Sequence, residues 1–188
     1  MPFNSSFLTY AVSLHFSADV NDIIASAVKS IAEVTGCNFI TENKIPPHVT
    51  IGAFHAVKED EEKLIQTVKD FAKAQKADAV HFKEIGNFNE KVLFLKPEKN
   101  NFLTQINSEL HKTLLPEFEK AENGYYLPEF WFPHTTLATR LSKIQFAKAL
   151  KIAEQIPFPL ETPATEIAVY QCSPFKEIKR FEISSPRM

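Results

Sequence analysis

Glycine is scarce in this chain. Four of its 188 residues are glycine, at positions 36, 52, 86 and 124, and no two are neighbours. A Gly-rich phosphate loop or a dinucleotide fingerprint needs two or three glycines within a few residues, because side chains would block the approach of backbone to phosphate. Nucleoside triphosphatases and Rossmann dehydrogenases are therefore poor fits. Cysteine is scarcer still. Cys37 and Cys172 lie far apart and make no C-x-x-C pair, which argues against zinc ribbons and disulfide frameworks and for a reducing compartment. A cytoplasmic location is expected. No apolar run reaches the length of about 18 residues that a spanning helix requires, so no membrane partner is expected. The apolar N-terminus MPFNSSFLTYAVSLHF has no basic leader and no A-x-A site, and reads as a first strand rather than a signal peptide. An excess of charge is also missing, with 21 Lys and Arg against 23 Asp and Glu. Proteins that coat long duplexes are usually basic. This balance leaves room for a nucleotide or an RNA end but not for a long duplex.

What is present fits an ordinary globule, since 44% of residues are hydrophobic and 23% charged, enough to build a core in one domain of this length. Strands are expected at 7–16, 47–54, 79–87, 91–96, 130–139, 165–172 and 178–184 from β-branched and aromatic runs. Helices are expected at 19–34, 59–76, 100–115 and 143–155 from apolar spacing. Asp19 reads as the first N-cap and Gly36 as its stop. The order strand, helix, strand, helix, strand occurs twice, over about 7–88 and 91–184, as in a duplicated half-domain.

Each half carries one copy of the same short motif. Pro47-His48-Val49-Thr50-Ile51 and Pro133-His134-Thr135-Thr136-Leu137 both read Pro-His-x-Thr-aliphatic. On a strand, residues i and i+2 share a face, so His48 aims with Thr50 and His134 with Thr136. A third His-x-Thr, at His111 and Thr113, falls on an expected helix, where positions two apart diverge, and is set aside. Two imidazoles facing one cleft suit acid–base chemistry, because near neutral pH one can accept a proton while the other donates. The threonine hydroxyls can donate to phosphate oxygens. A dihistidine metal site is the chemical alternative. Zinc usually takes three or four protein ligands, and no Asp, Glu or Cys lies within three residues of either histidine, so no metal and no cofactor are expected.

The paired motifs, their separation and the strand–helix order resemble the 2H phosphoesterase superfamily, and within it the 2′,5′-RNA ligase-like cyclic phosphodiesterases. The resemblance covers nearly the whole chain and extends to AVYQCSPF at 168–175. It implies an α+β fold of two lobes related by a pseudo-twofold axis, with antiparallel sheets lining a central cleft and helices outside. It also implies a single two-lobed domain over 1–188, acting as a monomer. The implied activity is metal-independent hydrolysis of a 2′,3′-cyclic or 2′,5′-linked nucleotide or RNA-end phosphodiester, with His48 and His134 catalytic and Thr50 and Thr136 on the phosphate. End-joining by the reverse reaction, or nucleotide binding without turnover, are the alternatives. Spacing leaves the acid and the base unassigned. The resemblance suggests that His134 activates water and His48 protonates the leaving oxygen. Family members often carry a basic residue soon after the second motif, and here Arg140 stands near that place. Phe54, Phe130 and Phe132 share parity with the histidines and are candidates to stack on a base, with Tyr125 and Tyr126 as an alternative platform. Ser173 and Tyr170 are candidates to border the cleft. His15, His55 and His81 receive no role.

Overall fold

The structure is a computed structural model that describes residues 7–184; residues 1–6, the start of the N-terminal apolar stretch, and 185–188 lie outside it. Strand β1 (Leu8–Phe16) leads into α1 (Ala18–Thr35). Ser17 occupies the N-cap position in place of Asp19. Asp19 sits in the first turn and accepts the Ser17 hydroxyl, where a carboxylate complements the helix dipole. Gly36 ends α1 at φ +72°, its N–H on the Ala32 carbonyl, a left-handed cap that glycine adopts at least cost. A single turn, α2 (Phe39–Glu42), precedes β2 (Val49–Ala56), α3 (Glu61–Ala74), β3 (Ala79–Phe88) and β4 (Val92–Pro97). The second half runs α4 (Asn101–Leu114), the two-residue β5 (Glu119–Lys120), β6 (Thr135–Ala138), α5 (Lys143–Ala153), β7 (Leu160–Cys172) and β8 (Phe175–Glu182).

Two expected strands start about five residues from their expected positions, and the other boundaries shift less. The strand expected at 130–139 shrinks to Thr135–Ala138. Phe130 and Trp131 turn back to bond the Leu127 carbonyl, and Pro133 has no N–H to give a ladder. The strand expected from 165 begins at Leu160. Pro163 reads as a breaker, but it lies where β7 leaves β3 for β1, and a proline is tolerated where a ladder changes or bulges.

The strands match in two antiparallel sets. One runs β2-β1-β7, with β5 beyond β2 and β8 on the other side of β7. The other runs β6-β4-β3, joined to the start of β7. Each set takes its third strand from the other half of the sequence, as does the helix over each motif strand: α4 packs on β2 and α1 on β6. Helices α3 and α4 thus cover one set, and α1 and α5 the other. The core is continuous across both, from Tyr10, Leu14 and Ile51 to Leu93, Leu95 and Ala149. The fold is the expected α+β class with antiparallel sheets inside and helices outside. No helix of the described residues is long and apolar enough to cross a membrane.

Candidate active site

Both motifs sit at the start of a bulged strand. Opposite β1, Thr50 pairs with Ser13 and Gly52 with Val12, which leaves Ile51 as an extra residue. Opposite β4, Thr136 pairs with Phe94 and Ala138 with Leu93, which leaves Leu137 extra. The aliphatic residue that follows each threonine is therefore the bulge. A bulge breaks the two-residue alternation of a strand, so parity holds from histidine to threonine and then fails. The two strands are stitched together across the molecule. The Thr135 hydroxyl donates to the His48 carbonyl at 2.9 Å, and the Trp131 indole N–H donates to the Thr50 carbonyl at 3.0 Å.

The result is one cavity of about 500 Å³ that His48, His134, Thr136 and Tyr126 line together. Thr50 is not part of that lining; its hydroxyl lies behind it, against the Tyr126 phenol and 3.3 Å from the Ser13 hydroxyl. The two imidazoles are held alike. His48 Nδ1 bonds the Pro46 carbonyl at 2.8 Å, and His134 Nδ1 bonds the Phe132 carbonyl at 2.9 Å. A carbonyl only accepts, so each Nδ1 carries its proton and each Nε2 is left for chemistry. Burial lowers the pKa of both rings. His48 is lowered further by the charges of His134 and Arg180, so a proton on one ring disfavours a second on the other. A pair that carries one proton is what an acid and a base require.

Their flanks differ. The His134 ring packs 5.2 Å from the centroids of both Phe88 and Phe94, and Phe132 completes the cluster. His15 and Tyr170 stand 6.0 and 6.2 Å from His48. Phe88, Phe94 and His15 escaped the sequence reading, because nothing local marks them and only sheet register brings them to the motifs.

The other candidate residues scatter. Phe54 is fully buried against His111 on α4 and cannot stack on a base, because the bulge at Ile51 turns it to the core face. Arg140 lies past the end of β6 at φ +60°, its guanidinium 4.3 Å over the Phe39 ring at the cavity wall. Phe132 is 42% exposed beside His134, Phe130 and Tyr125 are more exposed still, and none of the three lines the cavity. Ser173 is exposed at the turn between β7 and β8, away from the cavity lining. Tyr126 is the one tyrosine of the pair that lines it.

Comparison with known proteins agrees with this fold. The sequence profile of the 2′-5′ RNA ligase superfamily matches residues 23–173, and the chain belongs to that superfamily, a branch of the 2H phosphoesterases. A Bacillus cytotoxicus protein provisionally named a phosphoesterase is 31% identical over 109 residues, 56% of this chain and 59% of the relative. A Bacillus cereus protein of the same description is 29% identical over 122 residues, 63% of this chain and 66% of the relative. The chain thus spans less than two thirds of these relatives' length. Among solved structures, the Thermus thermophilus protein TT0787 matches with a TM-score of 0.65 at 16% identity, over 96% of this chain and 100% of its own. E. coli LigT in complex with 3′-AMP matches with a TM-score of 0.63 at 15% identity, over 95% and 99%. At such identities the likeness is one of fold.

Proposed function

We propose that this chain is a metal-independent phosphodiesterase, a single two-lobed domain that hydrolyses a 2′,3′-cyclic or 2′,5′-linked nucleotide phosphodiester. One observation carries the reading: two histidines from matching motifs line one cavity, each with Nδ1 committed to a backbone carbonyl two residues back and Nε2 free. That LigT was solved with 3′-AMP supports a nucleotide as the ligand class.

In this scheme water attacks phosphorus while His134 Nε2 takes its proton. The bond from phosphorus to the ribose oxygen breaks, and the Nε2 proton of cationic His48 goes to that oxygen. The Thr136 hydroxyl donates to a phosphoryl oxygen, as does Thr50. Burial keeps both rings neutral before substrate binds; an anionic phosphate between them draws in the one proton the acid needs. A 2′,3′-cyclic phosphate would leave as a 2′-phosphate.

A panel of 2′,3′-cyclic nucleotides and 2′,5′-linked dinucleotides, assayed with a strong chelator present, tests the proposal. Turnover unchanged by chelator is expected. Loss of turnover restored by one divalent metal would instead favour a dihistidine metal site, and binding without any turnover would make the cleft a binding module.

A further inference from the structure

The acid–base scheme leaves a titratable cluster beside His48 unused. His15 is 2% exposed on β1, and its Nε2 lies 3.0 Å from the Tyr170 hydroxyl. That hydroxyl gives its one proton to Glu177 at 2.9 Å and accepts from Arg180 at 3.0 Å, so His15 Nε2–H meets it as a donor. Arg180 is fixed in turn by Glu166 at 2.8 Å and Glu177 at 2.7 Å. With four of its N–H groups engaged, the guanidinium is an anchor for Tyr170 more than a free phosphate clamp.

Register shows that this cluster occupies only one side of the site. Ser13 stands opposite Thr50 as Phe94 stands opposite Thr136. Across the next strand, Ala168 pairs with Ser13 as Gly86 pairs with Phe94. Tyr170 and Phe88, two residues further on, are therefore equivalent, as are His15 and Lys96. Beside His48 these positions hold Tyr170 and His15, joined to Arg180 on β8, whereas on the other side Phe88 packs with Phe94 on His134 and Lys96 takes the place of His15.

We propose that His15 and Tyr170 are positioning residues for His48, a polar wall anchored on Arg180 that fixes the first-motif imidazole independently of the second. This rests on the phosphodiesterase reading for its kinetic consequence but not for its structural one. The charged and titratable groups around His48 are His15 from β1, Tyr170 from β7, Arg180 from β8 with the carboxylates of Glu166 and Glu177 that hold it, His134 from the second motif, and Glu122 and Tyr126 across the cavity. Tyr170→Phe deletes the hydroxyl that joins His15 to Arg180 while keeping the ring and its stacking on Phe175. Loosening the wall admits water to His48 and relieves the burial that depresses it.

The test is an NMR titration of the imidazoles in the parent chain, Tyr170→Phe, His15→Leu and His15→Gln, with thermal melts to confirm folding. The His48 titration should move up toward the ordinary imidazole value in Tyr170→Phe and His15→Leu, and His134 should not rise with it. His15→Gln, whose amide can still reach Tyr170, should restore much of the parent behaviour. In a phosphodiester assay, kcat should fall about tenfold with KM within about twofold, part of the contribution a well-placed general acid makes. Unchanged titration of His48, or equal shifts in both histidines, overturns the proposal. Because the titration needs no substrate, a parent chain that turns over no phosphodiester would sink the phosphodiesterase reading and leave this one measurable.

Discussion

The Thr136 hydroxyl makes no side-chain hydrogen bond among the described residues, whereas that of Thr50 is shared with Ser13 and Tyr126. A free donor aimed into the cavity can meet a phosphoryl oxygen with no partner to give up. Thr136→Ala should therefore weaken transition-state binding by about 2–4 kcal/mol, the worth of a preorganised donor, measured as kcat/KM. His48→Ala and His134→Ala should each cost about a hundredfold or more in turnover. Their roles separate on a substrate whose leaving group departs without a proton, such as a nitrophenyl ester. His48→Ala should then be largely rescued and His134→Ala should not. The opposite pattern of rescue would exchange acid and base.

At the scale of the element, the bulge decides more than the strand. Without the extra residue at Ile51, Phe54 would share the face of His48, as plain alternation expects. With it, Phe54 turns to α4, where Asn107 bonds the Ile51 carbonyl at 2.8 Å and holds the distortion. On the other side, the flat approach of Phe94 to β3 depends on Gly86. A methyl added there would sit 2.3 Å from Phe94 Cε2, and Phe94 is buried among Phe88, Phe132 and His134. Gly86→Ala should cost about 1–3 kcal/mol in urea unfolding, as overpacked cores do, and should lower turnover by disturbing the His134 wall. Stability equal to the parent would mean that the ring has another place to go.

Over the whole molecule, burial leaves several imidazoles that resist protonation. His15 is pushed down to about 2, and His48, His111 and His134 are lowered in the same direction, in each case chiefly by burial. In the unfolded chain these rings return to about 6.5. Below that pH the unfolded state takes up protons that the folded state refuses, so stability present above about pH 6.5 is lost on acidification. His15 alone accounts for about 1.4 kcal/mol per pH unit over that window. Urea midpoints followed by Trp131, the single tryptophan and a bridge between the motif strands, should fall from about pH 7.5 to about pH 5. His15→Gln should flatten the slope, and an equal slope in that variant would remove His15 from the account.

Local sequence was enough for the four long helices and most strands, and to single out the two motif copies, because these depend on periods of a few residues and on a pattern stated twice. It was not enough for the pairing of strands. Sheet register is set by contacts between residues far apart in the chain, such as His15 with Tyr170, |i−j| of 155, and no local period records them. Folding in three dimensions therefore settled that each half lends its third strand to the other and that bulges turn Phe54 inward. It also put Arg140 on Phe39 and placed phenylalanine beside one histidine but a polar wall beside the other. The two motifs read as near copies in sequence; their surroundings are unlike because each is built by neighbours from both halves of the chain.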